Sequence, residues 1–197
     1  MEEKLKLPKD IFGVKVNRVL MAQSIRVYMS NQRKAKAKTK TRAEVAKTTA
    51  KMYKQKGTGR ARHGAYSAPI FVGGGIAHGP TGTQNYHRKM SKAGKKAAIL
   101  SALSDRAAGK NVHAISDSNK FSKTKQAGDW LKKEKLSGVK VLVVAVDKQT
   151  GLVRAFRNLT GVTVTRPQNL SAYQILKFPQ LVITPEAIAE ITKKYVG

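Results

Sequence analysis

The chain has no cysteine. Disulfides, thiolate metal sites and a cysteine nucleophile are therefore excluded. No apolar run approaches the roughly 20 residues that a helix needs to span a bilayer. Acids are scarce: 11 Asp and Glu stand against 39 Lys and Arg in 197 residues, a formal net charge of +28. A metal-dependent nuclease or polymerase needs clustered carboxylates, whereas Asp105, Asp117, Asp129 and Asp147 are scattered. His63, His78, His87 and His113 show no paired ligand spacing, so neither a metal nor a cofactor is expected. The opening MEEKLKLPKD lacks the apolar stretch of a signal peptide and is too acidic for a transit peptide. A cytosolic protein is expected, and the basic region lacks the bulky apolar stripe of a membrane-surface helix.

The positive charge is concentrated in the middle of the chain. Residues 31–96 hold seventeen Lys and Arg against one acid, Glu44. Residues 57–82 contain eight glycines and two prolines, which forbids long regular elements. A segment of this composition cannot bury a core of its own, and its charges repel until a polyanion neutralises them. Nucleic acid is the expected polyanion.

On either side the pattern is that of a folded body. Residues 1–16 read as extended. Met21, Ile25 and Tyr28 fall on one face of a helix over 17–29. Ser91 is positioned to cap a helix reaching Ala108, with Ala93, Leu100, Leu103 and Ala107 inward and Gly109 closing it. Strands are predicted at 112–115, 139–146, 162–165 and 181–183. Between and after them, helices are predicted at 123–135, 152–158, 169–176 and from Pro185 onward. VKVLVVAV (139–146) is nearly continuous and β-branched, as a central strand covered on both faces would be. Strand–helix alternation at this spacing predicts an α/β fold: a three-layer domain with a mostly parallel sheet and helices on both faces. Residues 1–30 and 91–197 form this body, and 31–90 is a long extended basic loop inserted in it.

Within the loop, KQKGTGRAR (54–62) alternates cations with small residues. Gly57 and Gly59 let backbone approach a phosphate chain, while Lys54, Lys56, Arg60 and Arg62 reach phosphates and the arginines also stack on bases. Tyr53, Tyr66, Phe71 and Tyr86, with no core around them, are candidates for base stacking. Gly74 to Gly79 has the spacing of a phosphate loop, but Pro80 occupies the place of the lysine, which argues against a nucleotide site.

LPKDIFG (7–13), NQRKAKAKTKTRAEV (31–45), KQKGTGRARHG (54–64), the Pro69 to Pro80 run with Gly73, Gly74, Gly75 and Gly79, and LSALSDRA (100–107) resemble, in order, the bacterial-type large-subunit ribosomal protein L4 family. The resemblance is dense from Leu7 to Ala107; beyond that only the α/β pattern is shared. It departs at Ala46 to Tyr53, where the family shows glycines and then Lys-Pro-Trp, and after Pro80, where a basic residue is missing.

The resemblance implies a non-catalytic structural constituent of the large ribosomal subunit that binds rRNA and supports assembly. Its loop would line the peptide exit tunnel, close to an L22-type ribosomal protein and to the passing nascent peptide. From the matched motifs and from the loop's own basic and aromatic residues taken together, the residues expected to bind rRNA are Arg33, Lys40 and Arg42 on the approach leg, then Lys51, Tyr53, Lys54, Lys56, Gly57, Gly59, Arg60, Arg62 and His63 about the tip. Gly73, Gly74, Gly75, Arg88 and Lys89 complete the set on the return leg. Two alternatives stand beside this: a free RNA-binding regulator that represses its own messenger RNA, and an α/β enzyme acting on nucleic acid, which the missing acid cluster disfavours.

Overall fold

The computed structural model of the chain describes residues 7–115, 121–147 and 149–195. Asp117 and the first six residues of the stretch expected to be extended lie outside these. The chain divides into two compact units, residues 1–29 with 89–197, and residues 30–88.

The first unit is built on four parallel strands: β1 (Val112–Ala114), β2 (Val141–Val144), β3 (Val162–Thr165) and β4 (Gln180–Ile183), in the spatial order β1-β4-β2-β3. Val141–Val144 pair with Val162–Thr165 on one side and with Gln180–Ile183 on the other. All four β2 residues are buried, as a strand covered on both faces requires.

Alternation along the strands divides the core into two clusters. Leu142, Val144, Leu181 and Ile183 face one way, against Ala98, Ala102 and Leu103 of α3 (Lys92–Ala108), Ala172 and Ile175 of α6 (Ala172–Lys177), and Ala187 and Ile191 of α7 (Pro185–Tyr195). Val141, Val143 and Val182 face the other way, against Ala127 and Leu131 of α4 (Thr124–Lys133) and Leu152, Ala155 and Phe156 of α5 (Thr150–Arg157). Phe121, Trp130 and Phe156 meet edge to face in this second cluster, with centroids 5.3 to 6.2 Å apart. Helices thus cover both faces, and the fold is the expected three-layer α/β arrangement.

Four local expectations need correction. The stretch before residue 17 is not wholly extended: Lys9–Phe12 forms one helical turn, α1, which buries Ile11 and Phe12. The helix expected over 17–29 is α2, Arg18–Gln32, and runs three residues further.

Only Leu103 of the four residues expected on the buried face of α3 is fully buried, and Ala93 is exposed. The buried arc instead takes in Ser101 and Ser104, whose hydroxyls serve the backbone of the N-terminal stretch. Ser104 Oγ accepts from the Val14 amide (3.0 Å) and donates to the Ile11 carbonyl (3.1 Å), and Ser101 Oγ accepts from the Asn17 amide (3.3 Å). At its C-terminus Gly109 closes the helix as expected, its amide donating to the Asp105 carbonyl (3.1 Å), and the left-handed residue that follows is Lys110. The helix expected over 169–176 is split into a 3₁₀ turn at Pro167–Asn169 and α6, because Ser171 caps α6 by accepting from the Gln174 amide while Gln174 Oε1 accepts from the Ser171 amide.

Candidate nucleic-acid interface

The second unit holds thirteen Lys and Arg and one acid between Ser30 and Arg88. Its backbone makes a long hairpin-like path. Lys38 and Thr81 form an antiparallel bridge, Thr39 N–H donates to the Pro80 carbonyl (2.9 Å), and Ile76 N–H donates to the Lys40 carbonyl (2.9 Å). Further along, Met52 N–H donates to the Gly64 carbonyl (3.0 Å), and the Tyr53 hydroxyl donates to the Ala61 carbonyl. The stretch 54–60 is the turn between these legs.

At the other end, Asn31 brackets Arg88. Its Oδ1 accepts from the Arg88 amide (2.7 Å) and its Nδ2 donates to the Arg88 carbonyl (3.1 Å), while Ser30 Oγ donates to the Tyr86 carbonyl (2.6 Å). Sequence reasoning missed Ser30 and Asn31. Their short polar side chains at the border of the basic run were the available signal.

The glycines divide into two physical classes. A Cβ on Gly75 would lie 2.2 Å from the Arg42 nitrogen, one on Gly74 2.1 Å from the Ala68 oxygen, and one on Gly79 2.0 Å from Thr39 Oγ1. These three are required by close packing inside the segment itself. Gly57 and Gly59 instead take left-handed φ of +82° and +62° with nothing within 4 Å, and Gly64 also faces open space without a left-handed φ. Gly73 combines φ +75° with the Lys47 ammonium 2.9 Å from its would-be Cβ; that Nζ donates to the Val72 carbonyl (3.3 Å).

The cations sit on the outside of this frame. Arg33, Lys40, Arg42, Lys51, Lys54, Lys56, Arg60, Arg62 and Arg88 are all exposed. Lys89, also exposed, belongs to the first unit. Arg33 lies 4.0 Å over the Tyr86 ring, and Lys51 Nζ donates to Gln55 Oε1 (2.6 Å) and to the His63 carbonyl (3.1 Å).

Among the described residues, Glu44 pairs only with Lys38 (3.2 Å), so twelve cations of the unit have no carboxylate. The Thr41 amide, donating to Glu44 Oε2 at 3.0 Å, and the Lys38 ammonium hold the Glu44 carboxyl below the usual carboxylate range. Glu44 thus ties the turn after Thr41, and it offsets little of the surrounding charge.

The aromatics expected to be free of any core have partners within the unit. His63 and Phe71 meet edge to face at 5.0 Å, and Tyr66 and Phe71 are 5.9 Å apart beside buried Ala65 and Ser67. This small cluster seats the turn at 65–75, where the Gly75 amide donates to the Ser67 carbonyl (3.0 Å).

The arrangement offers exposed guanidinium and ammonium groups and bare backbone at glycine, with no group of three or more potential metal ligands among the described residues. Exposed cations and bare backbone of this kind are groups that can contact phosphate and sugar. The family description "Ribosomal protein L4/L1 family" matches residues 5–194. Three similar proteins carry the name "Large ribosomal subunit protein uL4". The one from Aquifex aeolicus is 38% identical over 187 residues, 94% of each chain. That from Pelagibacter ubique is 35% identical over 196 residues, 98% of this chain and 94% of its own. That from Clostridium botulinum strain Hall is 33% identical over 193 residues, 97% and 92%. With the family matched along almost its whole length, this chain belongs to the L4/L1 family of ribosomal proteins, a family of structural proteins and not of enzymes.

Proposed function

We propose that the chain is a structural constituent of the large ribosomal subunit in the cytoplasm, and that its basic segment is the main rRNA contact. The body would be residues 1–30 with 91–197, and residues 31–90 the loop that enters RNA, lines the exit tunnel and meets the nascent peptide and an L22-type neighbour. By threading between RNA elements it would help to fix them during assembly. The observation carrying this reading is the separation of roles within the segment. The paired legs at 38–40 with 76–81 and at 52 with 64, and the packed glycines, are held through the backbone, while the cations, twelve of them without a carboxylate among the described residues, and the open glycines Gly57, Gly59 and Gly64 are exposed. Ordering a chain costs roughly 1–2 kcal/mol per residue in backbone entropy. A partly organised frame lowers what RNA contacts must offset.

The test is salt dependence. Each phosphate neutralised contributes a slope of about −0.7 to −0.9 to log K against log salt. Deleting residues 48–82 removes Lys51, Lys54, Lys56, Arg60 and Arg62. The deletion should reduce the slope for large-subunit rRNA by several units while the body stays folded. An unchanged slope would refute the assignment.

A further inference from the structure

The body carries a groove that RNA binding by residues 31–90 does not use. It lies between β3, an edge strand of the sheet, and the flank of α5, and encloses about 650 Å³. One wall is a strand edge without a partner. Gly161 and Thr165 direct their carbonyls to β2, accepting from Val141 N–H (2.9 Å) and Ala145 N–H (3.1 Å). Alternation along the strand then turns the N–H and C=O of Val164, and the C=O of Val162, away from the sheet. The Val162 amide is taken by the Leu159 carbonyl (3.3 Å); among the described residues the other three groups have no partner.

The floor is apolar, made by Val153, Val162 and Val164, which are half-buried against the α5 cluster. The far wall carries Arg154 and Arg157, three apart on one face of α5. Both are exposed and, among the described residues, lack a carboxylate partner. Arg166 at the end of the groove is already paired, its Nε 2.5 Å from Asp147 Oδ1.

We propose that this groove binds an extended acidic peptide of a partner protein, which adds as a fifth strand beside β3. An unpaired edge supplies the main-chain bonds, a valine floor takes alternate apolar side chains, and two arginines take carboxylates. A phosphodiester would satisfy the arginines but would leave the aligned backbone donor and acceptors and the valine floor unused. The proposal is independent of the RNA reading, since no residue of 31–90 enters it.

The test uses the full-length protein with a fluorescein-labelled octapeptide, Val-Ser-Glu-Ser-Val-Ser-Glu-Ser, whose valines and glutamates share one strand face, because the valine floor and both arginines lie on the α5 side of the sheet. About 0.3 M salt suppresses diffuse attraction to the rest of the chain. A second peptide is N-methylated at alternate residues, keeping its charge while losing strand bonding. The unmodified peptide should bind at least tenfold more tightly than the N-methylated one. The Arg154→Glu/Arg157→Glu double variant should abolish that difference, and peptide binding should slow amide exchange at Val164. Equal binding of the two peptides, or an unchanged affinity in the double variant, would overturn the proposal. If the double variant instead lost affinity for labelled oligouridylate and kept the peptide, the groove would be an RNA site and the proposal would fail.

Discussion

Replacing Gly75 by alanine should disrupt the basic segment from within. A Cβ there would lie 2.2 Å from the Arg42 nitrogen, 2.5 Å from the Thr41 carbonyl carbon and 2.6 Å from the Arg42 Cα. All three are backbone atoms, so no side-chain rotation relieves the clash. Reaching an ordinary contact of about 3.4 Å or more requires the two legs to part by roughly 1 Å, and overpacking of this kind costs about 1–3 kcal/mol. A shift of that size also breaks or weakens the Ile76–Lys40 and Gly75–Ser67 backbone hydrogen bonds, at 2.9 and 3.0 Å, worth about 0.5–1.5 kcal/mol each. These effects overlap, and about 2–3 kcal/mol is the reasonable total. At about 1.4 kcal/mol per decade, that is roughly 30- to 150-fold. If RNA binds the segment in this conformation, affinity for large-subunit rRNA should fall by that factor.

Filter binding at fixed salt measures the affinity, and amide exchange at Thr39 and Ile76 reports the pairing directly. Gly64→Ala is the companion, because nothing lies within 4 Å of its would-be Cβ and its φ is not left-handed. It should leave amide exchange unchanged, so any loss of RNA affinity would come from the partner's close approach. Gly75→Ala binding within twofold of the unaltered chain, with unaltered exchange, would refute the reasoning.

In the body, Ser104→Ala should lower stability by about 2–4 kcal/mol, because it strands the Val14 amide and the Ile11 carbonyl beside a buried site; urea denaturation followed by circular dichroism would register it. At the tip, Arg60→Lys should restore only part of the rRNA affinity lost in Arg60→Ala, since lysine keeps the charge and loses the planar fork. Full restoration in a binding titration would reduce that contact to charge alone. Glu44 gives a pH dependence. Its carboxyl is held low by the Thr41 amide and by Lys38, so its contribution is present above the unfolded carboxylate value and is lost as pH falls through the lowered one. Proton exchange at the Thr41 amide, corrected for intrinsic rate, should lose protection across that acidic window, and Glu44→Gln should remove most of the dependence.

The α/β alternation was legible because strand and helix periods are local properties. VKVLVVAV announces a strand buried on both faces, and Pro185 announces a helix start. The basic, glycine-rich character of 31–96 was equally plain, because composition alone decides whether a segment can bury a core. The cations named from sequence are exposed for the same reason: an unpaired charge is too costly to bury.

Tertiary structure decided the rest. The order β1-β4-β2-β3 depends on which strand lies beside which, and that is set by packing between distant residues. Ser101 and Ser104 became interior because the backbone at 11–17 needed their hydroxyls, a demand that no helical period displays. The two classes of glycine look alike in sequence; only the neighbours of each absent Cβ separate Gly74, Gly75 and Gly79, which the chain itself needs, from Gly57, Gly59 and Gly64, which face open space. The groove beside β3 is likewise invisible in the sequence. Edge position is a property of the whole sheet, and Arg154 and Arg157 acquire a shared wall only when α5 folds back over the strand beside β2.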